Sequence, residues 1–138
     1  MFHNKVIYNF NDRQIKQVYQ LHKQTWWGSG RTLAETKCCI LGSQVCIGIL
    51  NENNDVIAFT RVITDFIFKA IIFDVIVDKS YQGSGLGQRL MMLVKEHEKL
   101  KNVRHFELYC LPEMEAFYEN FGFTTDVGGI NLMRCINP

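Results

Sequence analysis

Six consecutive residues, Gln82-Gly83-Ser84-Gly85-Leu86-Gly87, carry the plainest chemical signal in the sequence. An apolar, strand-like run from Ile71 to Val77 precedes them, and an amphipathic run from Leu86 to Leu100 follows. Glycines at a strand-to-helix junction let a backbone approach a ligand closely, and the first turn of the helix aims unpaired N–H groups at the same spot. Such a junction is a cradle for a pyrophosphate. Three phosphate-binding patterns compete for it. A P-loop needs Gly, four residues, then Gly-Lys-Ser/Thr, and no lysine follows Gly87. The dinucleotide fingerprint needs a glycine three positions after its second; counted from Gly83 and Gly85, that position is Gln88. The third pattern, Gln/Arg-x-x-Gly-x-Gly/Ala, is met in full by Gln82, Gly85 and Gly87.

The elements that must position this loop are legible in outline. Lys5 to Tyr8 reads as a first strand. Asp12 can cap a helix with Ile15, Val18 and Leu21 at helical spacing. A loop rich in tryptophan and glycine follows from Thr25 to Arg31, and Thr32 with Glu35 forms a capping box that opens a second helix through about Leu41. Gln44 to Leu50 and Val56 to Ile63 flank a turn-forming Asn51-Glu52-Asn53-Asn54-Asp55 and predict a hairpin. A third strand of the run spans Lys69 to Val77. Beyond the glycine loop, Leu86, Leu90, Leu93, Val94 and Leu100 lie on one helix face. Arg104 to Cys110 predicts a strand parallel to and beside the one before the loop. Pro112 suits the first turn of a short helix, Glu113 to Asn120, ended by Gly122. Met114, Phe117 and Phe121 give that helix a core face. Phe123 to Thr125 and Ile130 to Cys135 predict a terminal strand pair around Gly128-Gly129. The order β-α-α-β-β-β-α-β-α-β-β implies an α/β fold, a mixed sheet with helices on both faces.

At this point the chain resembles the GNAT superfamily of acyl-CoA-dependent N-acyltransferases. The stretch Val75-Ile76-Val77-Asp78-Lys79-Ser80-Tyr81-Gln82-Gly83-Ser84-Gly85-Leu86-Gly87 looks like the family's cofactor motif, and Phe117-Tyr118-Glu119-Asn120-Phe121-Gly122-Phe123 like its second hallmark. The resemblance implies a GNAT-type central mixed sheet and acetyl-CoA as co-substrate. It implies that Val75, Ile76 and Val77 run along the pantetheine arm, with the backbone groups of Val75 and Val77 pairing as though to an added strand. It places the pyrophosphate on backbone N–H groups from Gly83 to Gln88, within a site comprising Gln82, Gly83, Ser84, Gly85, Leu86, Gly87 and Gln88.

Aminolysis of a thioester requires loss of a proton from the ammonium, donors for the oxyanion and a proton for the departing thiolate. Tyr118 is the candidate for the last, since a phenol titrates near 10 and a thiol near 8.5. A backbone N–H near Val75 is the candidate oxyanion donor. Asp74 is the only charged residue between Ile71 and Val77. It can deprotonate the amine, directly or through water, or bind the ammonium; a structural carboxylate bonded to backbone is the competing reading. Many family members turn the preceding residue toward the acceptor, and here that residue is Phe73, which leaves ordered water as a further candidate base. His22 and His105 read as structural. The acceptor cleft in such folds is often closed by the loop between the first two helices, which here carries Trp26, Trp27 and Arg31. The tryptophans can form an apolar wall or stack on a cation, and Arg31 with Arg61 can grip a carboxylate.

Composition limits the remaining choices. A chain of 138 residues suggests one domain, residues 1–138, able to bury a core without metal or disulfides. A net charge of +1 leaves no electrostatic footprint for nucleic acid. The basic cluster of Lys95, Lys99, Lys101 and Arg104 reads as a solvated helix face. No apolar run approaches the roughly 20 residues that span a bilayer. The segment Met1-Phe2-His3-Asn4-Lys5 lacks the character of a signal peptide. Five cysteines, an odd count without metal-ligand spacing, point to a reducing compartment and a cytoplasmic protein. The expected activity is acetyl transfer from acetyl-CoA to a primary amine of a small molecule. An acyl-CoA-binding sensor on the same fold and a protein or peptide N-acetyltransferase are the alternatives. Pairing of the terminal strands across a homodimer interface is compatible with the sequence.

Overall fold

The computed structural model describes residues 4–138. Met1–His3, where the reading of the N-terminal segment begins, lie outside the described residues. Strand β1 (Lys5–Ile7) is followed by helices α1 (Asp12–Lys23) and α2 (Leu33–Gly42), then by strands β2 (Val45–Leu50), β3 (Val56–Thr64) and β4 (Lys69–Val77). A 3-10 turn (Lys79–Tyr81) leads into α3 (Leu86–Lys95), strand β5 (His105–Leu108), a second 3-10 turn (Pro112–Met114) and α4 (Glu115–Glu119). The strands form one sheet in the order β1-β2-β3-β4-β5, antiparallel except for the parallel pair β4–β5 that α3 connects. The mixed sheet and its parallel crossover agree with the sequence expectation.

Each helix buries the stripe its periodicity marks. Ile15, Val18 and Leu21 of α1, with Ile40 of α2, pack on Leu50, Phe59 and Ile76 on one face of the sheet. Leu86, Leu90, Met91 and Val94 of α3, with Tyr118 of α4, pack on Ile47, Ile49, Val62 and Ile72 on the other. Strand β2 is buried at all six positions because helices cover both of its faces. The capping box of α2 is present, with the Glu35 N–H donating to Thr32 Oγ1 at 3.0 Å and the Thr32 N–H to Glu35 Oε1 at 2.8 Å. Helix α1 is capped one residue earlier than expected: Asn11, not Asp12, accepts from the Gln14 N–H at 2.9 Å, and Gln14 completes a second box. An amide one position upstream meets the N3 donor directly, which leaves Asp12 free to complement the helix dipole in the first turn.

Two expectations fail. Helix α3 stops at Lys95 rather than Leu100; Leu100 still reaches the core, fully buried, from a tight turn in which its N–H donates to the His97 carbonyl at 2.9 Å. Phe123 to Thr125 and Ile130 to Cys135 form no strands. Gly128 and Gly129 adopt φ of +72° and +77°, which breaks the extended path between them. Ile130, Leu132, Met133 and Ile136 stand exposed, with no second strand of this chain to pair with.

Candidate active site

One irregularity in β4 creates the site. Phe59 pairs with Ile76 and Arg61 with Phe73, so Thr60 faces two residues, Asp74 and Val75, instead of one. Asp74 takes up this β-bulge at φ +58°, in left-handed space that L-residues seldom enter. The extra residue resets the alternation. Ala70 and Ile72 face the α3 side before it, Val75 and Val77 face the same side after it, and Phe73 and Asp74 are both turned toward α1. Past the bulge, β4 runs on without β5. Their pairing ends at Ile72 opposite Leu108, so the edge of β4 from Phe73 to Val77 lies unpaired on the β5 side. An extended ligand can add there as a strand.

A cavity of about 500 Å³ opens along this edge. Val75 and Val77 form its floor; Gln82, Gly83, Gly85, Leu86, Gly87 and Gln88 form one end; Met114, Phe117 and Tyr118 form the other wall. Of the residues read from sequence as a cofactor site, two lie apart from it. The Ile76 side chain is buried in the α1 layer, and the Ser84 hydroxyl donates to the Tyr81 carbonyl. Met114 is exposed toward the cavity rather than part of a core face.

The loop end fits an anionic group. Gly83 and Gly85 adopt φ of +82° and +85°. Gly85 caps α3 without any side-chain hydrogen bond, and the first intrahelical donor to reach it is the Arg89 N–H, at 3.0 Å from the Gly85 carbonyl. The N–H groups of Leu86, Gly87 and Gln88 therefore have no acceptor in the helix, and the first turn carries no acidic side chain to compete for them. A β-carbon at Gly87 would press on the Phe117 ring at 3.4 Å and narrow the cavity. The preceding turn is pinned: the Ser80 N–H donates to Asp78 Oδ1 at 2.8 Å, the Asp78 N–H to the Ile57 carbonyl at 2.8 Å, and Asn51 Nδ2 to the Tyr81 hydroxyl at 3.1 Å. A rigid approach fixes where the helix N-terminus points.

Tyr118 is buried, its ring edge-on to Phe117 at 5.0 Å and to Phe123 at 6.2 Å. Its hydroxyl takes no hydrogen-bond partner among the described residues, and Tyr118 lines the cavity. Burial, with a smaller contribution from Cys110 nearby, pushes the phenol up to about 12. It stays protonated throughout the neutral range and is a proton donor there.

On the α1 side, Asp74 gathers two guanidinium groups and an imidazole onto one oxygen. Its Oδ2 accepts from Arg31 Nη1 at 2.7 Å, from Arg61 Nε at 2.7 Å and from His22 Nε2 at 3.2 Å. Burial by itself raises this carboxyl, whose side chain is only 4% exposed, but the bonds from His22, Arg31 and Arg61 outweigh it and hold the group well below the usual carboxylate range. An oxygen so stabilised is a poor proton acceptor. Oδ1 takes no hydrogen bond among the described residues, although the Asp74 side chain is almost wholly buried. Asp74 is thus suited to hold an ammonium rather than to deprotonate it. His22, read from sequence as structural, is buried and locks α1 to the bulge, its Nδ1 meeting the Val18 carbonyl at 2.9 Å. Trp26 and Trp27 are both exposed; Trp27 stands edge-on to His22 at 5.9 Å and beneath the Arg31 guanidinium at 5.3 Å. Phe73 meets Tyr109 across the gap at 6.0 Å. His105 lies at the far end of β5, near Lys69. Tyr109 and His22 are the neighbours of this cleft that sequence reasoning did not place there; neither has a local signal, since both arrive through β4's bulge.

Comparison with known proteins agrees with this geometry. The family model for the acetyltransferase (GNAT) domain matches residues 42–125. The chain is 32% identical over 106 residues to the uncharacterized N-acetyltransferase ycf52 of Gracilaria tenuistipitata var. liui, which covers 75% of this chain and 58% of that protein. It is 40% identical over 77 residues to the chloroplastic GCN5-related N-acetyltransferase 1 of Arabidopsis thaliana, covering 56% of this chain and 39% of that one. The chain therefore spans between about two fifths and three fifths of the length of these two relatives. A crystal structure from Xanthomonas campestris pv. campestris, described as belonging to the GNAT family, superimposes with a TM-score of 0.87 at 29% identity, covering all of this chain and 96% of the other. With the glycine cradle, the unpaired edge of β4 and the family match in agreement, the chain belongs to the GNAT acetyltransferase family.

Proposed function

We propose that this protein transfers an acetyl group from acetyl-CoA to a primary amine of a small molecule, by direct attack in a ternary complex. The observation that carries the reading is the single cavity that joins the bare N–H groups of α3 to the hydroxyl of Tyr118. Bound acetyl-CoA supplies an acetyl thioester, and the products are an acetamide and the free thiol. Gly83 to Gln88 hold the pyrophosphate through backbone donors. The open edge at Val75 and Val77 aligns the pantetheine arm and offers an N–H to the oxyanion. Tyr118 donates its proton to the departing sulfur. Asp74 holds the incoming ammonium from the opposite side of the gap, and water carries its proton away.

No described helix is long and apolar enough to cross a membrane; the five cysteines are free, which fits a reducing compartment such as the cytoplasm. The exposed apolar residues from Ile130 to Ile136, beside a sheet whose β5 edge is open, support a homodimer. Light scattering then gives twice the mass of one chain, and truncation after Asp126 returns it to one; a monomeric full chain contradicts the dimer. The activity is tested by incubating the protein with acetyl-CoA and a panel of amines. Amine-dependent thiol release with a matching acetylated product supports the transferase. Tight binding of acetyl-CoA with no product from any amine supports the sensor, and acetylated peptides with inert small amines support a protein acetyltransferase.

A further inference from the structure

The two faces of the Asp74 cluster differ in what they leave unused. Arg61 is spent: Nε goes to Asp74, Nη1 approaches Ser43 Oγ at 3.4 Å, and its side chain is only 11% exposed. It cannot join Arg31 in gripping a ligand, as the sequence suggested. Arg31 gives Nη1 alone to Asp74, keeps Nε and Nη2 without an acceptor among the described residues, and is 28% exposed over the Trp27 ring. The carboxylate that Arg31 holds has one oxygen, Asp74 Oδ1, without a hydrogen-bond partner among the described residues.

The charges here do not cancel. Two guanidinium groups, with His22 behind them, face one carboxylate. A plain alkylamine arriving as an ammonium would meet Asp74 Oδ1 together with an excess of positive charge. A molecule that carries an anion next to its ammonium meets complementary partners at both ends. The spacing is short. Arg31 Nη1 and Asp74 Oδ2 are 2.7 Å apart, so the unpartnered Oδ1 and the unused guanidinium nitrogens belong to one ion pair. An α-amino carboxylate, whose nitrogen and carboxyl carbon share one carbon atom, spans that pair. The half-exposed indole of Trp27, packed under the Arg31 guanidinium, then offers an apolar surface to its side chain.

We infer that the acceptor is a zwitterionic α-amino acid with an apolar side chain, its amine held at Asp74 Oδ1 and its carboxylate at Arg31. The inference rests on the acyltransferase reading and narrows its substrate class. The test is a matched series: phenylalanine, its methyl ester and phenethylamine, with leucine and isoamylamine as a second pair. Each is incubated with acetyl-CoA and followed by thiol release and by mass of the product. Wild-type kcat/KM should favour the free acid over the ester and the amine by about 10- to 100-fold, the loss expected for one hydrogen-bonded charge. In Arg31→Gln that ratio should collapse toward one, and Arg31→Lys should restore part of it. Unchanged acetyl-CoA affinity in both variants shows that they fold. Equal or faster acetylation of the amines by wild type, or a preference that survives Arg31→Gln, overturns the inference and leaves the transferase standing. Product from none of the five compounds, in a protein that binds acetyl-CoA, overturns the inference; the transferase falls with it only when the wider amine panel is inert as well.

Discussion

Tyr118→Phe lowers kcat for amine acetylation about 10²- to 10⁴-fold, the range for losing a general acid, and leaves the Kd for acetyl-CoA nearly unchanged. The substitution removes one oxygen and keeps the ring, so the edge-on contacts with Phe117 and Phe123 persist. The hydroxyl has no hydrogen-bond partner among the described residues, and its loss strands no buried group among them. Stability should therefore hold, and the effect should appear in turnover alone. A phenol pushed up to about 12 remains a donor at every pH at which the protein is assayed, so no descending limb of the kcat profile below mildly alkaline pH belongs to Tyr118. Stopped-assay kcat and calorimetric Kd measured side by side check this. Equal turnover in the variant removes Tyr118 from the chemistry.

Asp74→Ala has the largest expected effect on stability. Among the described residues the carboxylate is the one anion bonded to Arg31 and Arg61, and its removal leaves two guanidinium groups facing one another, that of Arg61 mostly buried. Breaking a buried ion pair from one side costs about 3–5 kcal/mol, a fall in melting temperature of roughly 10–20 °C for a chain of this size. The same cluster dictates an acid response. Asp74 titrates lower folded than unfolded, so the unfolded chain takes up the proton first. Its contribution is complete above about pH 4, where the unfolded carboxyl is ionised, and drains away as the pH falls below that. Thermal melts across acidic pH check both points. Wild type should lose stability more steeply below pH 4 than Asp74→Asn, which has no proton to gain, and parallel slopes would mean that the cluster does not hold the charge.

The parts of the fold written in local chemistry were legible before any coordinates. Gln82, Gly85 and Gly87 mark the cradle by type and spacing, Thr32 and Glu35 mark a helix start, and Leu86, Leu90 and Val94 mark the buried face of α3. What escaped is non-local. The bulge at Asp74 is one surplus residue in a pairing register, and an apolar strand buried on both faces shows no break in alternation to betray it. Arg31, Arg61 and His22 come to Asp74 from 43, 13 and 52 residues away. Their meeting follows from that bulge and from how α1 crosses the sheet, not from any spacing. The residues from Ile130 to Cys135 fail in the opposite way: their alternation suits a strand, but the partner strand expected at Phe123 to Thr125 does not form, and Gly128 and Gly129 at positive φ break the path between them.

Calorimetric titration of acetyl-CoA into wild type and into Gly85→Glu tests the central claim most directly. The substitution puts a carboxylate and a side chain at a φ of +85°, among the donors meant for the pyrophosphate. One molecule should bind per chain in wild type, with the affinity reduced about 100-fold or more in the variant, as expected when two or more charged hydrogen bonds are lost. No heat in wild type from acetyl-CoA or from any other CoA thioester, or equal affinity in the two proteins, would contradict it.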